Sequence, residues 1–358
     1  MSQGTDTRAT GCLLGLAYGD ALGAPTEFLD VDAIVQRYGP GGPRELTGDP
    51  ALITDDTQMT LAVARALRDA DALTPERIEP ALREHFVRWW ASPDNTRAPG
   101  MTCLRACAKL ADGTPWRQAT GESSKGCGAN MRVAPVGLLP GIDDTRRAGL
   151  AQFQAALTHG HPTGLAASDL TAFAVHQLRA GLAPAALSAA LRERCRQQRR
   201  TYHEEWLADL WTRPGVTDPV EFIARGWDEC LDALDALETA LARPDRDTDP
   251  CRATGAGWIA EEALATALHC FLLFPEDPVG MLARAATTSG DSDSIACLAG
   301  AFAGAAYGAD AWPAHWARTI EHGAELAEFG RRWDARHDQE NQQPPPVRGA
   351  IAWPRGRP

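Results

Sequence analysis

β-Branched residues are scarce in this chain outside short runs, while Ala and Leu recur throughout, so helix is favoured over sheet. No stretch alternates strand-like and helix-like segments, which leaves a doubly wound nucleotide-binding fold without support. The glycines of Gly11–Gly15 lack the strand–turn–helix setting that a dinucleotide fingerprint needs. CxxC pairs are absent, and the nine cysteines fall at irregular spacings. That argues against a disulfide framework and for small buried hydrophobes in a reducing compartment. Excess positive charge is missing too: the formal net charge is −12, the opposite of what general phosphate-backbone binding requires. An anionic substrate would then have to be collected by local cations, and bound metal ions would serve. No apolar run reaches membrane-spanning length. The apolar stretch Cys12–Ala24 lacks a positive n-region, is broken by Asp20 and glycines, and runs directly into folded-looking sequence. A cytoplasmic protein with neither membrane nor nucleic-acid partner is the expectation.

What is present is helical patterning. At 44% hydrophobic and 23% charged residues, the 358-residue chain has the composition of a globular protein and the length to bury a sizeable core. In Thr57–Ala70, Met59, Leu61, Ala62, Ala66 and Leu67 fall near one face behind an acidic helix start. Pro75–Trp90 repeats the pattern through Ile78, Leu82, Phe86 and Trp89. Further helices are predicted over Met101–Ala111, Arg146–Leu157, Gly164–Ala180, Pro184–Gln198, Pro219–Leu241, Gly257–Phe271, Pro278–Thr287, Ser294–Gly308 and Trp316–Trp333. Gly and Pro gather in the connections, notably Pro93–Gly100, Gly121–Gly128, His159–Gly164 and Arg243–Gly257. Arg199–Ala256 reads as a helical excursion with an exposed loop. The expected architecture is one all-α domain over residues 8–338, followed by a Gln-, Pro- and Arg-rich tail over 339–358 that reads as flexible.

Acidic residues crowd two predicted helix starts. Thr54, Asp55 and Asp56 open one helix, and Asp291, Ser292, Asp293 and Ser294 open another built of small residues. Glu27 follows a Gly-rich turn near the N-terminus. Asp, Ser and Thr are the preferred N-cap residues, so each cluster taken singly can be a cap. Two adjacent carboxylates exceed what one cap uses, and a second crowded cap repeats the excess. Carboxylates and hydroxyls are also the oxygen ligands of magnesium or manganese, and a two-metal site draws bridging acids from separate segments. Residue chemistry alone leaves both readings open.

Five segments, in order, resemble the ADP-ribosylglycohydrolase family: GDALGAPTEF, LITDDTQMT, GCGANMRVAPVGL, LTHGHPTG and SGDSDSIACLAGAFAGAAYG. The resemblance runs from about Gly11 to Gly308 and includes the dinitrogenase-reductase-activating glycohydrolases and the ADP-ribosylarginine hydrolases. It implies an all-helical fold with two Mg2+ or Mn2+ ions at the base of a cleft. Thr54, Asp55 and Asp56 would supply one side of that centre, and Asp291, Asp293 and Ser294 the other, with Asp293 shared. Many relatives carry threonine at the position of Ser294; serine keeps the hydroxyl. Glu27, Asp56 and Asp291 are the candidate catalytic groups; Glu27 stands where the family has a glutamate near the metals, and it would orient or deprotonate the attacking water or gate the cleft.

The resemblance also assigns Ser124, Gly126, Cys127 and Gly128 to the loop that lines the diphosphate and distal ribose, where glycines let backbone N–H groups approach phosphate oxygens. His159 would lie beside the ADP-ribose, with His161 a weaker candidate. Trp258 has a possible adenine-stacking role, but a core position is the expectation, and Glu261 and Glu262 read as a solvated helix face. The implied reaction is removal of ADP-ribose from a modified protein side chain, with arginine the expected attachment. Ala98 stands where nitrogen-fixation relatives carry an acidic residue, which leaves Asp94 as the nearest candidate for guanidinium recognition. Rival readings are hydrolysis of serine-linked ADP-ribose or of a small ADP-ribose-containing molecule such as O-acetyl-ADP-ribose, and a catalytically silent ADP-ribose-binding protein.

Overall fold

The computed structural model describes residues 6–342, and among them every regular element is helical. Helices of eight residues or more are α1 (Arg8–Gly23), α2 (Val31–Tyr38), α3 (Asp55–Asp69), α4 (Pro75–Trp90), α5 (Met101–Ala111) and α6 (Asp144–Ala156). They continue as α7 (Pro162–Arg179), α8 (Pro184–Gln198), α9 (Pro219–Leu241), α10 (Ala260–Leu273), α11 (Pro278–Ala285), α12 (Ser292–Tyr307) and α13 (Gly323–Gln342). No helix among the described residues is long and apolar enough to cross a membrane. All nine cysteines are free thiols, seven of them buried.

The centre of the fold is the antiparallel pair α1 and α12. Nearly all of both helices is buried, which is why neither shows a one-sided apolar stripe. Glycines spaced four apart on α1 form a ridge with no side chains, and the backbones meet directly. A Cβ on Gly15 would lie 2.5 Å from the Gly300 carbonyl oxygen, and one on Gly19 would lie 2.0 Å from that of Ala296. At the far end a Cβ on Gly23 would lie 2.4 Å from Asp293 Cα. This contact sets the C-terminal end of α1, and with it Asp20 and Glu27, against the acidic start of α12. Apolar periodicity predicts no helix over Arg8–Gly23, because small residues buried on all sides carry no 3.6-residue contrast.

Most other helix bounds match the expected ones within about three residues. The segment expected as one helix over Trp316–Trp333 is broken. Its first turn, Trp316–Thr319, ends where Thr319 accepts a hydrogen bond from the Ala51 N–H (2.8 Å) and Glu321 N–H donates to the Ala51 carbonyl (2.9 Å). His322 then takes a φ of 56° before α13 begins. Pairing with Ala51 replaces the helical hydrogen bonds that apolar spacing alone would predict. The Glu321 side chain accepts from Ile53 N–H (3.2 Å) and pairs with Arg97, tying this break to the segment that leads into α3. Helix α13 continues to Gln342, past the expected domain limit at 338; the rest of the expected tail, from residue 343, lies outside the described residues.

Candidate metal centre

Three chain segments deliver carboxylates to one buried point. Thr54 has extended backbone and caps α3, so Asp55 and Asp56 occupy the first helical positions with their side chains turned inward. Asp20 on α1 holds this turn. Its carboxylate accepts from Thr54 N–H (3.0 Å), Thr54 Oγ1 (2.8 Å), Thr57 N–H (3.1 Å) and Thr57 Oγ1 (2.5 Å). From the second segment, Asp291 is fixed by its N–H to the Ala256 carbonyl (2.8 Å), with Gly290 pressed so close to that carbonyl that no side chain fits. Asp293 follows in the first turn of α12, accepting from Ser294 N–H (2.9 Å). Glu27 comes from the turn after α1. One carboxylate oxygen each from Glu27, Asp291 and Asp293 lies within 4.8 Å of the others.

These acids line the base of a cleft of roughly 230 Å³ together with Asp55, Asp56 and Ser294. Burial pushes the Glu27 carboxyl up to about 9, with Asp293 and Asp55 adding repulsion. Asp55 is pushed up to about 8 and Asp20 to about 7, burial again leading in both. Asp56, Asp291 and Asp293 are raised for the same reason. The nearby cations are committed elsewhere: Arg97 to Glu321, and Lys125 to Glu229 and Glu261. Asp56 is buried, and its Oδ1 has no hydrogen-bond partner. Capping alone does not account for this, because one cap uses one acceptor and here several further carboxylates are buried together. An orphaned carboxylate oxygen inside a ring of mutually repelling acids and hydroxyls fits a hard divalent cation.

One wall of the cleft is Gly126–Gly128, at the end of a loop that begins at Ser124. Lys125 anchors it through Glu229 on α9 (2.8 Å) and Glu261 on α10. Cys127 N–H donates to the Trp258 carbonyl (3.1 Å), and Ala260 N–H to the Lys125 carbonyl (2.8 Å). Ser124 Oγ meets Thr102 Oγ1 at 2.9 Å. The His159 ring packs on Gly126 and Gly128, where a Cβ on Gly128 would fall 2.9 Å from its Cε1. Burial and the Arg132 guanidinium hold His159 down to about 3, so it is a neutral ring; its Nδ1 meets Thr158 Oγ1 at 2.8 Å. His161 accepts from Thr163 N–H (3.2 Å) and caps α7.

Several residues sit elsewhere than expected. Asp94 is exposed on the loop after α4 and does not line the cleft, whereas Ala98 does, at a φ of 49°. Cys127 sends its thiol to the acids, donating to Asp291 Oδ2 (2.8 Å) and lying 3.2 Å from Ser294 Oγ. Trp258 is 44% exposed at the mouth, not core, and stacks on Phe28 with ring centroids 6.1 Å apart. Glu261 is buried against Lys125 rather than solvated, and Glu262 turns back to accept from Gly257 N–H (3.3 Å). Asp20 carries no sequence signal of this role: it lies inside GDALG, and the threonines it holds are more than thirty residues away in the chain.

The sequence and the all-helical fold are both shared with known proteins. The profile of the ADP-ribosylglycohydrolase family matches residues 1–344, and the chain belongs to that family. It is 28% identical over 335 residues to the ADP-ribosyl-[dinitrogen reductase] glycohydrolase of Rhodospirillum rubrum, covering 92% of this chain and 95% of the relative. It is also 28% identical to the ADP-ribosylhydrolase ARH3 of Mus musculus, covering 88% of each chain. A solved ADP-ribosylglycohydrolase-related protein complex superimposes with a TM-score of 0.66 over 92% of this chain and 97% of its own, at 24% identity.

Proposed function

We propose that the protein hydrolyses the glycosidic bond between ADP-ribose and an arginine side chain of a modified protein, using two divalent ions held by Thr54, Asp55, Asp56, Asp291, Asp293 and Ser294. The observation that carries this reading is the convergence of buried, mutually repelling carboxylates around the unpartnered Asp56 Oδ1. Bound magnesium or manganese supplies the positive charge that neutralises these acids and attracts an anionic substrate. The glycine-bearing loop Ser124–Gly128 and the neutral His159 ring then line the ADP-ribose, with Gly126 and Gly128 allowing close approach to the diphosphate.

The reaction forms a bond from water oxygen to the ribose anomeric carbon and breaks the bond from that carbon to the arginine nitrogen. Positive charge develops on the ribose in an oxocarbenium-like transition state, and the surrounding carboxylates stabilise it. Glu27, ionised once bound cations offset the burial and repulsion that raise its carboxyl, accepts a proton from the attacking water, and the departing guanidine is reprotonated by solvent. At the mouth, the exposed Trp258 face offers a platform on which a guanidinium can stack.

The test is ADP-ribose release from an arginine-ADP-ribosylated protein, with Mg2+ or Mn2+, for wild type and Asp293→Ala. Metal-dependent release that falls more than about 100-fold in the variant is expected, since even outer-shell changes at metal sites reach that range. A second reading is favoured by the position of Asp94, which leaves no carboxylate from that loop facing a guanidinium. Release from serine-linked ADP-ribose or O-acetyl-ADP-ribose, but not from arginine, would select it. No release from any of them would leave a binding role.

A further inference from the structure

The thiol of Cys127 lies on the candidate ligands themselves. Its sulfur is 2.8 Å from Asp291 Oδ2 and 3.2 Å from Ser294 Oγ, two oxygens of the proposed centre. Two donors bound at right angles to one ion, with a metal–oxygen bond of about 2.1 Å and a metal–sulfur bond of about 2.3 Å, stand about 3.1 Å apart. The observed separations bracket that edge, the 2.8 Å to Asp291 Oδ2 being shorter and the 3.2 Å to Ser294 Oγ slightly longer. The sulfur lines the same cavity as Asp56, whose buried Oδ1 has no partner.

The position of the thiol is fixed by its backbone. Cys127 N–H is held by the Trp258 carbonyl (3.1 Å), and its carbonyl accepts from Asn130 (2.9 Å) and Met131 (3.0 Å). Gly126 and Gly128 on either side are pinned under the His159 ring. Cys103 also reaches the cavity wall, but its sulfur accepts from the Arg132 guanidinium (3.5 Å) instead of meeting a carboxylate.

We propose that Cys127 Sγ is a ligand of the divalent ion at the Asp291–Ser294 side of the centre, so that this site takes Mn2+, Fe2+, Co2+ or Zn2+ in preference to Mg2+. The proposal rests on the metal-dependent reading above and deepens it. On binding, the ion replaces the S–H proton, which leaves to solvent; no electrons are transferred. Sulfur adds nothing to the affinity for Mg2+, which prefers oxygen donors, whereas it raises affinity for softer ions.

The experiment uses the full-length, metal-free protein titrated with Co2+ and followed by absorbance, with Mn2+ and Mg2+ affinities measured by calorimetry. A thiolate-to-cobalt charge-transfer band should grow with occupancy in wild type. Cys127→Ser should lose the band while retaining the weak cobalt d–d absorption, and its Mn2+-over-Mg2+ affinity ratio should drop about tenfold or more. Cys127→Ala, checked for native circular dichroism, should behave alike. Cobalt binding without that band, or a band that persists in Cys127→Ser, overturns thiol ligation and leaves the metal centre standing. Failure of wild type to bind Co2+, Mn2+ or Mg2+ would bring down both.

Discussion

Replacing Asp20 with alanine tests whether α1 builds the centre by holding the start of α3. The fully buried carboxylate accepts from two backbone N–H groups and two hydroxyls, those of Thr54 and Thr57. The hydroxyls can rotate towards other acceptors; Thr54 Oγ1 already lies 3.5 Å from Asp56 Oδ2. The two N–H groups cannot, and a stranded buried donor costs about 1–3 kcal/mol, so the loss comes to about 2–6 kcal/mol. With an unfolding entropy of about 2.1 cal/mol/K per residue, a chain of 358 residues loses about 0.75 kcal/mol per degree, so Tm should fall by about 3–8 °C. Because the Asp55–Asp56 turn loses its anchor, Mn2+ affinity should drop about tenfold or more. Differential scanning calorimetry and Mn2+ calorimetry on the same preparation read both effects. A Tm within about 1 °C of wild type together with an unchanged Mn2+ Kd would refute the assignment of Asp20 as the brace of the site.

The remaining expectations concern metal, packing and the cleft mouth. In metal-free protein, Asp20, Asp55 and Glu27 hold protons in the folded state, up to about 7, 8 and 9, that the unfolded chain releases near ordinary carboxylate values. The folded state therefore binds more protons in this window: their contribution is fully present below about pH 4 and is lost as pH rises through about 7 to 9. Tm of the chelator-treated protein should accordingly fall between pH 5 and 9. Excess Mn2+ at about 100 times Kd should add about 2.7 kcal/mol per site, or about 7 °C for two sites, at pH 7.5; identical melting curves with and without metal would contradict this. Gly19→Val places its Cβ 2.0 Å from the Ala296 carbonyl oxygen and should destabilise by more than about 3 kcal/mol, or prevent folding; a wild-type urea midpoint would refute backbone contact between α1 and α12. Trp258→Ala should raise KM for an arginine-linked substrate about tenfold with kcat little changed, as expected for a stacking contact made equally in ground and transition states. A fall in kcat at constant KM would instead assign Trp258 to the chemistry.

Much of this molecule is determined locally. One-sided apolar faces in Pro75–Trp90, Pro184–Gln198 and Pro219–Leu241 specify half-buried helices, and their starts are marked by proline in the first turn. The crowded acids at Thr54–Asp56 and Asp291–Ser294 are visible as more carboxylate than a cap can use. Tertiary structure decided the rest. Helix α1 carries no amphipathic contrast, because α12 and its neighbours bury it on every side, so its glycine ridge has meaning only once the two backbones touch. Asp20 reads as a polar interruption in an apolar run until Thr54 and Thr57 are brought to it. Trp258 and Glu261 exchange their expected environments, since solvent exposure depends on which elements cover a residue and not on its own polarity. Cys127 reads as one residue of a glycine-rich loop, and only the fold places its sulfur against Asp291 and Ser294. Periodicity records the contrast between one buried face and one wet face; contacts between segments far apart in the chain leave no such trace.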